Sequence, residues 1–358
     1  MTDRLLVYGA YGYTGRLVAE RAVERGLDPV LAGRDGDRLA AVGRELGCET
    51  RRFGLPSRGD AGDVVATHLA DVAAVLNCAG PFDDTADPMV DACLATGTDY
   101  LDVTGEIPVF VRLHRRDEAA REAGVTLLPG VGFDVVPTDC TAAHLVDRLP
   151  DATHLALGFE THGGVSPGTA RTAVAGLADG GAIRVDGELR VEPVASRART
   201  IDFGTGPREA ATVPWGDVAT AHWTTGVPNV EVYTPMSARA RRLLGVLDRL
   251  DPVLDAGPVQ RLLGAAIDRF VDGPDAETRT SGAAFVWGEA RAVRGGEVVD
   301  TAVSRLETPE TYALTVDTAV ESARRVLRGD AEPGYATPAG AFGPDFVLEA
   351  SGAERTDE

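Results

Sequence analysis

The residues best suited to chemistry stand near the start of the chain. Gly9-Ala10-Tyr11-Gly12-Tyr13-Thr14-Gly15 has the spacing G-x-x-G-x-x-G and directly follows the apolar run Leu5 to Tyr8. Gly9 allows a tight turn out of a strand, and Gly12 lets the backbone approach a pyrophosphate without a Cβ in the way. Gly15 lets the following helix pack close to a sheet. The helix N-terminus then offers N–H groups and a positive dipole end to phosphates. The chemistry expected of this segment is dinucleotide binding. The second strand ends Leu31-Ala32-Gly33-Arg34. An NAD site places Asp or Glu there for the ribose hydroxyls. Arg34 can instead pair bidentately with a 2′-phosphate, so the expected cofactor is NADP, as NADPH. Asp35 leaves two readings open. Either it is the NAD-type carboxylate with Arg34 turned away, or it caps the next helix in Asp35-Gly36-Asp37-Arg38. The fourth strand ends in Asn77-Cys78-Ala79-Gly80-Pro81. A small-residue turn at the carboxyl end of a strand lets a cofactor run past the backbone. Cys78 is given no catalytic role.

The candidate donor groups nearest the remaining strand ends are Asp102, Thr104, Glu106 and Asp134. Glu106 could bind substrate or relay a proton; as a plain structural residue it opens the helix that begins at Ile107-Pro108. Asp134 lies just before a helix whose first turn holds Pro137 and Asp139. It faces the crossing between domains, or else stabilises a turn as an Asx residue. Glu106 and Asp134 are the catalytic candidates. The six His are scattered, and no spacing suggests a metal site; His162 and His222 could reach a cleft in a second domain. No G-x-S-x-G elbow is present.

These residues need a frame that puts strand ends side by side. Apolar runs at Leu5 to Tyr8, Pro29 to Ala32, Thr50 to Phe53, Ala73 to Cys78, Tyr100 to Val103 and Val125 to Leu128 alternate with helical patterns near 14–25, 36–46, 60–70, 86–96 and 108–123. Gly26 and Gly124 read as helix stops. Strand–helix alternation predicts an α/β fold, a doubly wound parallel (Rossmann) sheet over residues 1–137. After Pro137 the pattern changes. A helix continues over 142–149, strands are expected at Thr153 to Thr161 and Val227 to Tyr233, and a helix at Gly168 to Leu177. Hairpins are expected around Asp186-Gly187 and Gly295-Gly296. Residues 138–310 therefore read as an α+β domain with a mostly antiparallel sheet. A helix from Thr311 to Leu327 and a tail over 311–358 complete the chain, its last residues, Ala353 to Glu358, read as frayed.

Bulk composition excludes several classes. The chain of 358 residues holds 55 acidic and 35 basic residues, for a formal net charge of -20, and every basic residue is Arg. Without Lys there is no Schiff-base lysine, no P-loop lysine and no Tyr-x-x-x-Lys pair. The acidic surface repels nucleic acid and anionic membranes. Cys48, Cys78, Cys93 and Cys140 form no C-x-x-C pair. No signal peptide and no apolar stretch near the length of a membrane span is found, so a cytoplasmic location is expected.

Four segments resemble the saccharopine dehydrogenase-like oxidoreductases, most of all the branch described as trans-acting enoyl reductases. They are GAYGYTGRLVAE, then NCAGPF with DACLATGTDYLDVTGE, then PGVGFDVVPTD, and the tail segment YATPAGAFG. The first three span the N-terminal ~140 residues in the family's order; residues 160–300 match only in layout, and Tyr11 replaces a smaller residue. The resemblance implies an NADP-binding domain, a second domain shaping a substrate cleft, and a C-terminal segment packing back on the first domain. It implies an NADP-dependent oxidoreductase reducing an enoyl group of an apolar, small-molecule or carrier-linked substrate. The enolate oxygen then needs a donor and the α-carbon a proton. Two alternatives remain. One is an amino-acid or imine dehydrogenase, for which Arg171 and Arg184 are available cations. The other is a dinucleotide-binding sensor without catalysis. A homodimer is compatible with all three.

Overall fold

The computed structural model describes residues 3–56, 63–162, 180–247 and 275–358. They divide into two compact units: residues 1–136 with 312–342, and residues 137–311 with 343–358.

The first unit is built on seven parallel strands: β1 (Leu5–Tyr8), β2 (Val30–Gly33), β3 (Thr50–Arg52), β4 (Ala74–Asn77), β5 (Asp99–Asp102), β6 (Thr126–Leu128) and β15 (Gly334–Tyr335). Their order is β15-β6-β5-β4-β1-β2-β3. The first six strands follow the order of a doubly wound dinucleotide fold, with its switch point between β1 and β4. β1 and β4 are buried along their whole length, so they read as unbroken apolar runs. Successive residues point to opposite faces and join separate cores. Leu6, Tyr8 and Val75 pack with Met89 and Val90 of α4 (Phe82–Thr96). Leu5, Val7 and Leu76 pack with Val18 and Ala22 of α1 (Tyr13–Glu24) and with Val316 and Val320 of α11 (Thr311–Leu327). The other helices of this unit are α2 (Gly36–Leu46), α3 (Asp63–Thr67), α5 (Ile107–His114), α6 (Asp117–Ala123) and α12 (Pro338–Phe342). The single helix expected over 108–123 is thus two, broken after His114. α4 begins four residues before the expected start at 86.

The second unit carries a mixed sheet of nine strands. These are β7 (His154–Thr161), β8 (Gly181–Val185), β9 (Glu188–Glu192), β10 (Ala198–Asp202), β11 (Pro207–Thr212), β12 (Asn229–Pro235), β13 (Ala283–Arg294), β14 (Glu297–Pro309) and β16 (Glu354–Asp357). The backbone order is β10-β11-β12-β7-β13-β14-β16, and the β8–β9 hairpin joins β12. Among the described residues of this sheet only β7 and β12 run parallel. Asp186 and Gly187 both take positive φ in the hairpin turn, as the Asp-Gly pair suggested. Its helices are α7 (Val136–Arg148), α8 (Asp217–Thr225), α9 (Ala238–Leu247) and α10 (Ala276–Ser281). α7 lies close on the sheet: a Cβ at Gly288 would come 2.7 Å from Leu145 and Thr141.

Two expectations are corrected. The last residues are not frayed, because β16 pairs antiparallel with β14 from Glu354 to Asp357. For the same reason residues 343–358 belong to the second unit, and only 312–342 to the first. The expected helix at Gly168 to Leu177 lies outside the described residues, as does part of 60–70. Among the described residues no helix is long and apolar enough to cross a membrane.

Candidate functional site

The loops after β1, β2, β4, β5 and β6 leave the carboxyl edge of the parallel sheet. At the switch point the first and fourth strand loops touch: a Cβ on Gly9 would sit 2.9 Å from Ala79 Cβ. Gly9 has φ +81 and donates its N–H to the Ala32 carbonyl at 2.8 Å. A Cβ on Gly15 would lie 2.3 Å from the Gly9 carbonyl oxygen, so no other residue fits. Ala10 is fully buried beneath this turn. Gly12 is the N-cap of α1, yet it supplies no side-chain cap, and the first turn, opened by Tyr13 and Thr14, holds no acid. A Cβ on Gly12 would meet only the Gly9 oxygen, at 3.2 Å, and open space elsewhere. A helix end with this bare N-terminus and a cradle that a side chain would fill suits a pyrophosphate.

Asp35 is the N-cap of α2, and its Oδ1 accepts the Arg38 N–H at 3.1 Å. Arg34 is exposed. Tyr11 lies across the strand end: a Cβ on Gly33 would come 2.5 Å from Tyr11 Cε1.

The turn after β4 is held from inside. Asn77 is fully buried. Its Oδ1 accepts the Ala79 N–H at 3.0 Å, and its Nδ2 donates to Thr85 Oγ1 and to the Tyr100 hydroxyl. Burial, helped by the charge on Asp102, pushes the Cys78 thiol up to about 12, which leaves it a poor nucleophile. Gly80 and Pro81 then lead into α4. Pro81 is the N-cap and offers no side-chain acceptor. Glu106 fills that gap from the loop after β5. Its Oε1 accepts the Phe82 N–H at 2.9 Å and its Oε2 the Asp83 N–H at 2.8 Å. Burial raises the Glu106 carboxyl, and these two N–H groups hold it back. Glu106 also stands at the N-cap of α5, but its side chain makes no capping bond there. Its carboxylate serves the helix before it, not the one it opens.

Asp102 pins the neighbouring loops. Its Oδ1 accepts N–H groups from Thr104 at 3.0 Å and Gly130 at 2.9 Å, and its Oδ2 accepts the Tyr100 hydroxyl at 2.8 Å. Burial is the main cause that pushes it up to about 6, against those donors. The loop from Gly130 to Asp134 is also fixed by α11. The Phe133 N–H donates to Thr315 Oγ1 at 3.0 Å, and the Thr318 hydroxyl donates to the Val131 carbonyl at 2.8 Å. Asp134 stands at the end of this loop and is partly buried. A Cβ on Gly105 would lie 2.7 Å from its Oδ2, so a glycine is needed to admit the carboxyl. Among the described residues that carboxyl makes no hydrogen bond, which sets aside the Asx-turn reading. Burial first, then the charge on Glu106, pushes Asp134 up to about 7. A carboxyl balanced near neutrality can give or take a proton.

The sheet thus groups the expected residues at two places along one edge. Arg34 and Tyr11 lie on the β2 side; Asn77, Cys78, Glu106 and Asp134 lie on the β4, β5 and β6 side. Arg38 and Arg52 at the β2 corner were not anticipated, although Arg38 stands one helical turn after Arg34. Thr315 and Thr318 came from a distant helix and left no local signal. In the second unit, Arg184 is buried and donates to the carbonyls of Val218 at 2.9 Å and Gly187 at 2.6 Å, tying the β8–β9 turn to α8. Arg171 lies outside the described residues. His162 meets Glu160 at 3.2 Å and His222 meets the Val227 carbonyl at 2.9 Å. Among the described residues no group of three or more His, Cys, Asp or Glu could hold a metal.

Residues 5–128 match the family model described as saccharopine dehydrogenase NADP binding domain. The human saccharopine dehydrogenase-like oxidoreductase is 27% identical over 201 residues, 49% of this chain and 46% of that protein. A trans-acting enoyl reductase of Mycobacterium leprae is 35% identical over 152 residues, 40% of this chain and 36% of that protein. These matches span less than half the length of either relative. Two solved structures share the fold. Saccharopine dehydrogenase (L-Glu forming) from Saccharomyces cerevisiae superposes with a TM-score of 0.65 at 12% identity, covering 99% of both chains. A homospermidine synthase from Legionella pneumophila, solved with NAD, reaches 0.68 at 8% identity, covering 100% of this chain and 92% of that one.

Proposed function

Taking residues 5–128 as an NADP-binding domain of the saccharopine dehydrogenase type, we propose that the protein is an NADP(H)-dependent oxidoreductase that reduces the C=C bond of an apolar or carrier-linked enoyl substrate. The observation that carries the reading is Asp134, a carboxyl held near neutrality by burial on a fixed loop, at the same sheet edge as the glycine turn. Gly9, Gly12 and Gly15 with the bare start of α1 would hold the pyrophosphate. Ala79, Gly80 and Pro81 would line the path of the nicotinamide half, and Arg34 would meet the 2′-phosphate. When bound, the reduced nicotinamide supplies a hydride to the β-carbon of the substrate.

The chain's own part is the proton. Asp134, whose carboxyl burial pushes up to about 7, holds it on a carboxyl oxygen and gives it up as negative charge builds on the substrate's α-carbon and carbonyl oxygen. Glu106 is a positioning residue. Both of its oxygens accept backbone N–H groups of α4, and its charge raises the proton affinity of Asp134. Asp102, Tyr100 and Asn77 hold the three loops in register. Imine or amino-acid chemistry would call for a cation to take a substrate carboxylate; of the two candidates, Arg184 is engaged by two backbone carbonyls and Arg171 lies outside the described residues.

The test uses NADPH carrying deuterium at both C4 positions, a panel of α,β-unsaturated acyl thioesters, and ordinary water. Mass spectrometry is expected to find one deuterium at the β-carbon and one solvent-derived hydrogen at the α-carbon. Deuterium delivered only to imines, with every enoyl thioester unchanged, would replace this reading with the dehydrogenase alternative.

A further inference from the structure

We propose that Thr315 of α11 is a positioning residue for the proton donor: it seats the turn that carries Asp134 and fixes where that carboxyl stands relative to the dinucleotide helix α1. The inference rests on the oxidoreductase reading above and names a residue that reading does not use.

The first support is the shape of the turn. The Gly132 carbonyl accepts the Val135 N–H at 3.2 Å and the Val136 N–H at 2.9 Å, so the chain doubles back and Asp134 stands at the tip. The base of the turn is pressed on α11. A Cβ on Gly132 would come 2.9 Å from Thr315 Cγ2 and 3.3 Å from its Oγ1. The tip is pressed on the loop after β5, where a Cβ on Gly105 would come 2.7 Å from Asp134 Oδ2 and 3.1 Å from its Cβ. Glycine is thus needed at both contacts, and any shift of the base moves the carboxyl against Gly105. Between them the Phe133 N–H donates to Thr315 Oγ1 at 3.0 Å. Thr318, one helical turn further on, donates to the Val131 carbonyl at 2.8 Å. Thr318 therefore holds the approach to the turn, and Thr315 the turn itself. Threonine suits the place because one Cβ carries both the methyl that seats Gly132 and the hydroxyl that accepts the Phe133 N–H. Two threonines buried in a helix lower its propensity, so their presence asks for such a reason.

The second support is that α11 is itself fixed to α1. Asp317 Oδ1 accepts from Arg21 at 2.7 Å and from Arg25 at 3.3 Å, two arginines one turn apart on α1. The Tyr312 ring meets the Tyr13 ring edge-on, with centres 5.0 Å apart at 83°. Tyr13 is the first residue of α1, next to the glycine turn. Val316 and Val320 share one core with Val18, Ala22 and Val131. One helix therefore carries the Asp134 turn on its threonine face and grips α1 with its neighbouring side chains. Thr315 is the joint between the two. The placement matters because hydride and proton must reach adjacent carbons of one substrate, and such a pair of transfers depends on fixed spacing.

The test follows the Asp134 carboxyl directly, by carbon NMR of protein labelled at its aspartate carboxyl carbons. The Asp134 signal is the one that Asp134→Asn removes, and in the wild type it is expected to titrate at about 7. Thr315→Val keeps the side-chain shape but sets a methyl against the Phe133 N–H. The turn must lift and water reaches the carboxyl, so its proton affinity is expected to fall by about tenfold, towards the ordinary carboxylate range. Thr315→Ser keeps the acceptor and is expected to recover most of that loss. Thr315→Ala, which only removes atoms, is expected to shift in the same direction as Thr315→Val and reads the same quantity if the valine variant does not fold. Asp35→Ala, which uncaps α2 away from the turn, is expected to leave the midpoint where it is, which separates positioning from general loosening. With an enoyl thioester, Thr315→Val is expected to lower kcat by about 10–100-fold with the KM for NADPH nearly unchanged. A midpoint unmoved in both Thr315→Val and Thr315→Ala, or moved equally by Asp35→Ala, overturns the proposal. A shift confined to the Thr315 variants, in a protein that reduces no enoyl thioester, upholds the positioning role and removes the proposed reaction instead.

Discussion

Asp134→Asn is the substitution whose consequences reach furthest. The carboxyl rises from an ordinary 3.8 to about 7, and at 1.36 kcal/mol for each factor of ten in ionisation this is a penalty of about 4 kcal/mol. Asp134 is half-buried rather than sealed, so solvent reduces the value to about 2–4 kcal/mol. The sign follows from linkage. Below pH 4 the group is protonated in both folded and unfolded chains and weakens neither. Between pH 4 and 7 the unfolded chain loses the proton while the folded one keeps it, so wild-type stability falls. Above pH 7 the full penalty is present. Asparagine, which does not ionise, escapes all of it, so the variant should be the more stable protein at pH 8.5 and lose that advantage near pH 4.5. All three Trp lie in the second unit, so fluorescence would report the wrong one. Amide hydrogen exchange on β5 and β6, corrected for intrinsic rates, reads the first unit. Turnover should move oppositely: the wild type loses activity as pH rises past about 7, and the variant falls by about 10²–10⁴-fold. Stability curves for the two proteins that run parallel from pH 4.5 to 8.5 would refute the reasoning.

Two further substitutions test the neighbours. Glu106→Gln removes the charge that accepts two N–H groups at the start of α4. It should lower stability by about 1–2 kcal/mol in denaturant titration. Cofactor affinity should stay within a few fold, and the alkaline fall in activity should move to lower pH, because the charge helping to raise Asp134 is gone. Asp35→Ala removes the cap of α2. It should lower stability by about 1 kcal/mol and leave NADH affinity unchanged in a binding titration; a collapse of NADH affinity would make Asp35 a ribose ligand after all.

The N-terminal fold was legible because its signals are local. Buried parallel strands such as Leu5–Tyr8 and Ala74–Asn77 read as apolar runs, and Asp35 and Gly124 mark helix ends within a few residues. What was missed depends on distant partners. α4 starts at Phe82 rather than 86 because its cap comes from Glu106, 24 residues on. β16 is polar along its length and becomes a strand only by pairing with β14. β10 is largely exposed and β11 is exposed over its first three residues and buried over its last three, so neither shows the alternation that marks a half-buried strand. In the site, the glycine turn and Arg34 carried a motif, and Asp134 and Glu106 could be named from their places after strands. Their roles could not be told apart from sequence. Glu106 is held by two backbone N–H groups, whereas Asp134 has none, and that difference exists only once the loops after β4, β5 and β6 are side by side.

The central claim is that the glycine turn and the β2 corner bind NADPH in preference to NADH. Calorimetric titration of the wild type and Gly12→Val with each nucleotide, in high salt to screen the acidic surface, tests it most directly. The account predicts tight NADPH binding, NADH weaker by at least about tenfold, and loss of both in Gly12→Val, whose side chain would fill the open cradle. Binding of neither nucleotide to the wild type, or unaltered NADPH affinity in Gly12→Val, would contradict it.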